Sequence, residues 1–276
     1  MRRPNVCQFE LTFGCGLHCG HCYSDCYNRP EYIKRELATG EVKLILDKVY
    51  EAGVNWICFT GGDPLTRQDF LDIYSYTKAK GFIVTIFTNS YSMNKELAGH
   101  LRKKPPFVIE MTLNAVTKDL YEKISQVKGS FEKMIDGIKL ILKAELPIKI
   151  KTQVTKDNLG EISRVREFIE GLGLRFRPSY DLHARLNGDS MPCNLRILPN
   201  EIGANGDKCA KTKNRIPNAS LFRCAIEGGD GIQIDPYGNI FACTLMRKPD
   251  FDLLKFDIGY ATDKLLSMVT SVQNNF

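Results

Sequence analysis

From its start to about residue 180 the chain alternates short β-rich runs with amphipathic stretches, which restricts it to βα units around a parallel sheet. Six strands are predicted, at Val6 to Thr12, Trp56 to Thr60, Phe82 to Thr88, Phe107 to Leu113, Ile148 to Val154 and Leu174 to Pro178. Between them the spacing predicts helices over Glu41 to Ala52, Gln68 to Lys80, Asn94 to Lys103, Ser130 to Ala144 and Leu159 to Gly171, several closed by a glycine (Gly53, Gly81, Gly171). Ser130 is expected to cap its helix, and Phe131, Ile135, Ile138 and Leu142 to form that helix's core stripe. Six such units build either an open doubly wound sheet or three-quarters of a barrel, and periodicity does not choose between them. In both, ligands sit at the C-terminal ends of the strands.

After residue 180 the texture turns to Pro, Gly and Asn with weak periodicity, the pattern of a linker and loop-rich module. Within it GIQIDPYGNIFAC reads as two short strands around the turn Asp235-Pro236-Tyr237-Gly238, and Ala261 to Val269 as a final amphipathic segment. Residues 1–180 are therefore expected to form the core and 181–276 a smaller module.

The formal charge of +6 is spread along the chain without a basic run, so no nucleic-acid partner is inferred. The N-terminus lacks the apolar run of a signal peptide and no stretch of eighteen apolar residues suggests a membrane span, so a cytoplasmic protein is expected. In a reducing compartment, clustered cysteines point to metal binding or catalysis rather than to disulfides. Of the ten, Cys7, Cys15, Cys19, Cys22, Cys26 and Cys58 lie before residue 60, and Cys193, Cys209, Cys224 and Cys243 after residue 190. Two thiol centres are expected.

The first is CGLHCGHC, with Cys15, Cys19 and Cys22 directly after a predicted strand and glycines interspersed. Zinc held with His18 or His21 is one reading, although zinc sites usually pair two short knuckles across a longer loop. Three thiolates also fit a 4Fe-4S cluster with one iron left open for a cofactor or substrate. Cys7 and Cys58 sit in apolar strands and read as inert buried thiols, and Cys26 as a packing residue.

The triad is followed about forty residues later by Thr60-Gly61-Gly62-Asp63-Pro64 at the end of a predicted strand. Together they resemble the radical S-adenosylmethionine superfamily, whose second motif is usually GGEP. The resemblance implies a partial (β/α)6 TIM-like barrel, an α/β fold with a small cysteine-bearing β-hairpin module after it. It implies that Cys15, Cys19 and Cys22 hold a 4Fe-4S cluster at the barrel mouth, whose open iron binds S-adenosylmethionine. Reductive cleavage would give a 5′-deoxyadenosyl radical that abstracts a substrate hydrogen, the electron coming from an external flavodoxin- or ferredoxin-type donor. By the same resemblance Gly61, Gly62, Asp63 and Pro64 form the turn that approaches the methionine amine, and Tyr23 lies near the adenine. Thr88 and Asn89 match the family's polar pair, and Thr112 a hydroxyl near the ribose or carboxylate. Strand-end capping is the alternative for Thr88, Asn89 and Thr112, and packing under the loop for Tyr23. Lys151 and Gln153 are candidates to point into the barrel.

The spacing of Cys224, Gly238 and Cys243 resembles the opening of the SPASM or twitch extensions that carry auxiliary clusters. Cys193, Cys209, Cys224 and Cys243 would suffice for a second iron-sulfur cluster, with four-thiolate zinc as the rival. A full SPASM domain has a further cysteine-rich run not found here, so a short twitch-type module, a truncated chain and a module without a cluster all stay open. The branch implies a radical enzyme acting on a peptide or protein, with any peptide-binding domain supplied as a separate chain. The alternatives are cofactor biosynthesis in a tetrapyrrole or quinone pathway, a non-enzymatic iron-sulfur protein, and a zinc-stabilised binding module.

Overall fold

Five parallel pairings order the first two thirds of the chain in a computed structural model, which describes residues 4–198, 231–244, 247–248 and 250–273, the last six without their side chains. Strands β1 (Val6–Thr12), β2 (Trp56–Gly61), β3 (Ile83–Thr88), β4 (Val108–Thr112), β5 (Ile148–Gln153) and β6 (Pro178–Ser179) each pair in parallel with the next. Helices α1 (Pro30–Ile33), α2 (Thr39–Glu51), α3 (Phe70–Ala79), α4 (Lys95–Lys103), α5 (Lys118–Ser125), α6 (Ser130–Lys143) and α7 (Ile162–Gly171) lie between the strands. Side chains alternate along each strand. Cys7, Phe9 and Leu11 of β1 join the core shared with Ile57, Phe59, Val84 and Ile86, packed beneath helices. A second core joins Met111 and Ile150 to α5, α6 and α7. The opposite sheet face, with Gln8, Cys58, Thr85, Glu110 and Lys149, lines a cavity of about 470 Å³.

The predicted hairpin is present as β7 (Gly231–Ile234) and β8 (Asn239–Phe241), followed by β9 (Phe251–Asp252) and α8 (Ile258–Gln273). The Asp235 carboxylate accepts from Tyr237 N and Asn239 N, both at 2.9 Å, which fixes the turn. Strand β7 pairs in parallel with β1, Val6 opposite Gly231 and Phe9 opposite Ile234. The strand order is thus β6-β5-β4-β3-β2-β1-β7-β8-β9, a partial barrel that does not close on itself among the described residues.

Four local expectations change. The sixth strand begins at Pro178 rather than Leu174, and only Thr152 with Pro178 and Gln153 with Ser179 pair, because proline has no N–H to extend the ladder. Helix α6 is capped by Gly129 at φ +75°, with Ser130 inside its first turn and hydrogen-bonded to Ser125 at 2.7 Å. Its buried face is Met134, Ile138 and Ile141 with Gly137, while Phe131, Ile135 and Leu142 are only partly buried. The helix is rotated because Gly137 packs on the Ser90 turn, where an added Cβ would fall 2.5 Å from the Ser90 carbonyl. Helix α5 was not anticipated; only Tyr121, Ile124 and Ser125 of its eight residues are buried, too few for a period.

Candidate active site

The loop after β1 is held from several sides before any cofactor is considered. Asn28 takes the Cys15 N–H on its carbonyl at 3.0 Å and donates to Cys15 O and Leu17 O, both at 3.1 Å. The far side of the loop hangs from the end of α5, where His18 N donates to Ser125 O and Gly20 N to Ile124 O. Leu186 N donates to Tyr23 O at 2.9 Å, and Arg185 reaches Asp25 and Gly20 O, so the stretch read as linker packs on this loop.

Cys15, Cys19 and Cys22 line one cleft of about 280 Å³. Burial pushes all three thiols up, Cys19 to about 12, and the Asp63 carboxylate adds to the effect at Cys15. Such thiols stay protonated until a metal supplies the positive charge that makes thiolates favourable. Among the described residues no three His, Cys, Asp or Glu side chains converge on the position of a single ion. His18 is paired with Asp25 at 3.0 Å, and His21, held neutral by burial that lowers it to about 4, meets Asn114 at 3.4 Å. Three thiols spread around one cleft suit a multi-iron cluster in which three irons would each take one thiolate. The residues fit that group.

The Gly61-Gly62-Asp63-Pro64 turn closes under this loop. Gly61 adopts φ +129°, and an added Cβ there would fall 2.0 Å from Thr12 O; at Gly62 it would fall 2.4 Å from Gly14 O. Only residues without a side chain allow the two backbones to meet so closely. Gly62 lines the cleft, whereas Asp63 lies wholly buried behind it. The Asp63 carboxylate accepts from Leu65 N at 3.0 Å, Asn89 N at 3.0 Å and the Thr88 hydroxyl at 2.8 Å. Pro64 is buried and opens a single 3-10 turn. Thr88 is therefore turned away from the cleft, but Asn89 faces it and donates its amide to Cys15 Sγ at 3.2 Å.

Tyr23, Thr112, Lys151 and Gln153 also line the cleft. The Tyr23 hydroxyl donates to Glu10 at 2.9 Å, and Arg247 forks onto the same carboxylate at 2.7 and 2.8 Å. Asn114 accepts from Gln153 N at 2.9 Å and is itself held by Asn158. Sequence reasoning missed Asn28, Asn114, Glu10 and Arg247. Of these only Glu10 carried a signal, an acid flanked by Phe9 and Leu11 within an apolar strand.

Cys7 and Cys58 are buried, and the Cys26 thiol points to Tyr23 O at 3.8 Å. Cys193 sits on the turn Met191–Leu195 and Cys243 just after β8, both half-buried free thiols. Cys209 and Cys224 lie outside the described residues.

Residues 9–169 match the profile of the Radical SAM superfamily. The chain is 31% identical over 170 residues to an AdoMet-dependent heme synthase of Methanosarcina barkeri, covering 62% of this chain and 48% of that protein. It is 24% identical over 255 residues to the mycofactocin maturase MftC of Mycolicibacterium smegmatis, covering 87% and 64%. The chain thus spans about half the length of the heme synthase. In fold it is similar to Streptococcus suis SuiB bound to its precursor peptide SuiA, with a TM-score of 0.73 at 16% identity over 96% of this chain and 66% of that one. It is also similar to anSMEcpe with bound AdoMet and a Cp18Cys peptide, with a TM-score of 0.65 at 13% identity over 95% and 82%.

Proposed function

The chain belongs to the radical SAM superfamily, and from that premise we propose that it is an enzyme that abstracts a hydrogen atom from a peptide or protein substrate. The observation that carries the site assignment is the convergence of Cys15, Cys19 and Cys22 with Gly62, Asn89 and Thr112 on one cleft. In this reading the three thiolates hold a 4Fe-4S cluster and S-adenosylmethionine lies against Gly62, Asn89, Thr112 and Tyr23. Held there, such a cluster would supply the electron for reductive cleavage of S-adenosylmethionine.

The chain's own residues position and shield this chemistry. Asn28 and the end of α5 fix the loop; the Asn89 amide holds the Cys15 sulfur. Gly61 and Gly62 bring a bare backbone to the cleft wall, and Asp63 fixes the Asn89 backbone from behind. Residues 181–198 cover the loop's flank and limit the access of water. A flavodoxin- or ferredoxin-type protein supplies the electron. Residues 1–180 make the catalytic core and 181–276 an auxiliary module, in which Cys193, Cys209, Cys224 and Cys243 hold a second cluster.

A peptide substrate is favoured because likeness to MftC and SuiB extends over most of the chain, C-terminal segments included. A tetrapyrrole substrate is the second reading, favoured by the higher identity to the heme synthase, 31% over 170 residues. Anaerobic reconstitution should give roughly eight irons per chain, and dithionite reduction should release 5′-deoxyadenosine. Replacing Cys15, Cys19 and Cys22 by Ala should abolish cleavage, while Ala at Cys224 and Cys243 should lower the iron to roughly four and preserve it. Zinc uptake without a cluster, or no deoxyadenosine from the wild type, would sink the proposal. Deuterium transfer from a labelled peptide or a labelled porphyrin into deoxyadenosine decides the substrate class.

A further inference from the structure

Glu10 is a carboxylate almost wholly removed from water, with 1% of its surface exposed, on the strand that leads into the cysteine loop. It has three donors from two distant parts of the chain. Arg247 supplies two in a fork, Nη1 to one oxygen at 2.8 Å and Nη2 to the other at 2.7 Å. The Tyr23 hydroxyl supplies the third, at 2.9 Å. Tyr23 follows Cys22 directly and lines the cleft. Arg247 follows Cys243 by four residues, donates its Nε to Thr244 O at 3.0 Å, and lies over the rings of Phe13 and Phe241. Its guanidinium is thus fixed in plane as well as in charge.

We propose that Arg247 is a positioning residue for the cleft. By holding Glu10 it fixes the Tyr23 ring, and so makes S-adenosylmethionine binding depend on docking of the segment that bears Cys243. A buried carboxylate needs compensation, and removing one partner of such a pair is far more disruptive than its net stabilising value implies. Without Arg247 only a phenol faces Glu10. The carboxylate then loses the two donors that fix its plane, and with them the fixed acceptor that orients the ring. Lysine cannot reproduce the effect fully, because a point charge does not span both oxygens.

The inference rests on the assignment of this cleft to S-adenosylmethionine, and the test separates the two. The anaerobically reconstituted wild type is compared with R247M, R247K, Y23F and Y23F/R247M. The readouts are equilibrium dialysis against S-adenosylmethionine, the EPR spectrum of the reduced cluster before and after its addition, and thermal stability. R247M should weaken binding about tenfold, as loss of a charge-assisted hydrogen bond does, and diminish the EPR change on addition. R247K should fall between R247M and wild type. Because both residues act through one ring, Y23F should match R247M and the double variant should be no weaker than Y23F. If R247M does not hold a cluster, E10Q/R247M, with no orphaned charge, carries the same measurement. Lowered melting temperature with unchanged affinity and EPR, or effects that multiply in the double variant, would overturn the proposal. A wild type that holds a cluster but binds no S-adenosylmethionine would overturn the assignment of the cleft as well.

Discussion

The Thr88 hydroxyl donates to the buried Asp63 carboxylate at 2.8 Å, joining the end of β3 to the turn after β2 directly behind the cleft. Two backbone amides, those of Leu65 and Asn89, share that carboxylate. Asp63→Ala leaves three donors without their acceptor and should cost about 2 to 4 kcal/mol at pH 7, measured as a shift in urea midpoint. Unchanged stability would mean that the carboxylate does not hold the two strands.

Burial raises Asp63 from the usual 3.8 to about 6, against the pull of its hydrogen bonds from Asn89, Thr88 and Leu65. A carboxyl raised in the folded state holds its proton where the unfolded chain has lost it. Its contribution to stability is therefore greatest at low pH and falls as pH rises from about 4 to about 6, by about 3 kcal/mol in all. The stability difference between the metal-free wild type and Asp63→Ala should shrink over that interval and level off above it. A difference independent of pH would show that Asp63 titrates normally.

Asn28 makes three hydrogen bonds to the cysteine loop, at 3.0, 3.1 and 3.1 Å, from thirteen and eleven residues away in sequence. Asn28→Ala should leave global stability within about 2 kcal/mol of wild type, yet release iron to a chelator about tenfold faster. Equal release rates would place the control of the loop elsewhere.

Two glycines inside helices have opposite surroundings. At Gly99 of α4 an added Cβ meets nothing within 4 Å, so Gly99→Ala should stabilise by about 0.5 to 1 kcal/mol through helix propensity. At Gly137 of α6 it meets the Ser90 turn, so Gly137→Ala should destabilise by about 1 to 3 kcal/mol. Thermal midpoints moving in the same direction for both would contradict the packing of α6 on that turn.

The strands β1 to β5 and the hairpin were readable because their apolar residues and turn residues lie close together in sequence. The cysteine triad and the two glycines were readable for a similar reason, since loop chemistry of this kind needs particular residue types at fixed short spacings. Helix α5 was missed although it holds the loop: eight residues with three buried positions carry too little pattern. The rotation of α6 was missed because it depends on Gly137 meeting Ser90, 47 residues away in sequence, which no property of the helix by itself reveals.

By itself the sequence determined the βα alternation, the thiol spacing and the glycine turn, all of which are local. Only the tertiary structure decided which polar groups share the cleft. Asp63 and Thr88 resembled cleft residues in sequence, but burial turns them onto each other behind the wall. Glu10 and Arg247 stand 237 residues apart in a chain with 38 basic and 32 acidic side chains, so spacing could not have paired them. Glu10 is buried and Arg247 half-buried beside it, and a buried charge must find its partner where the fold places one.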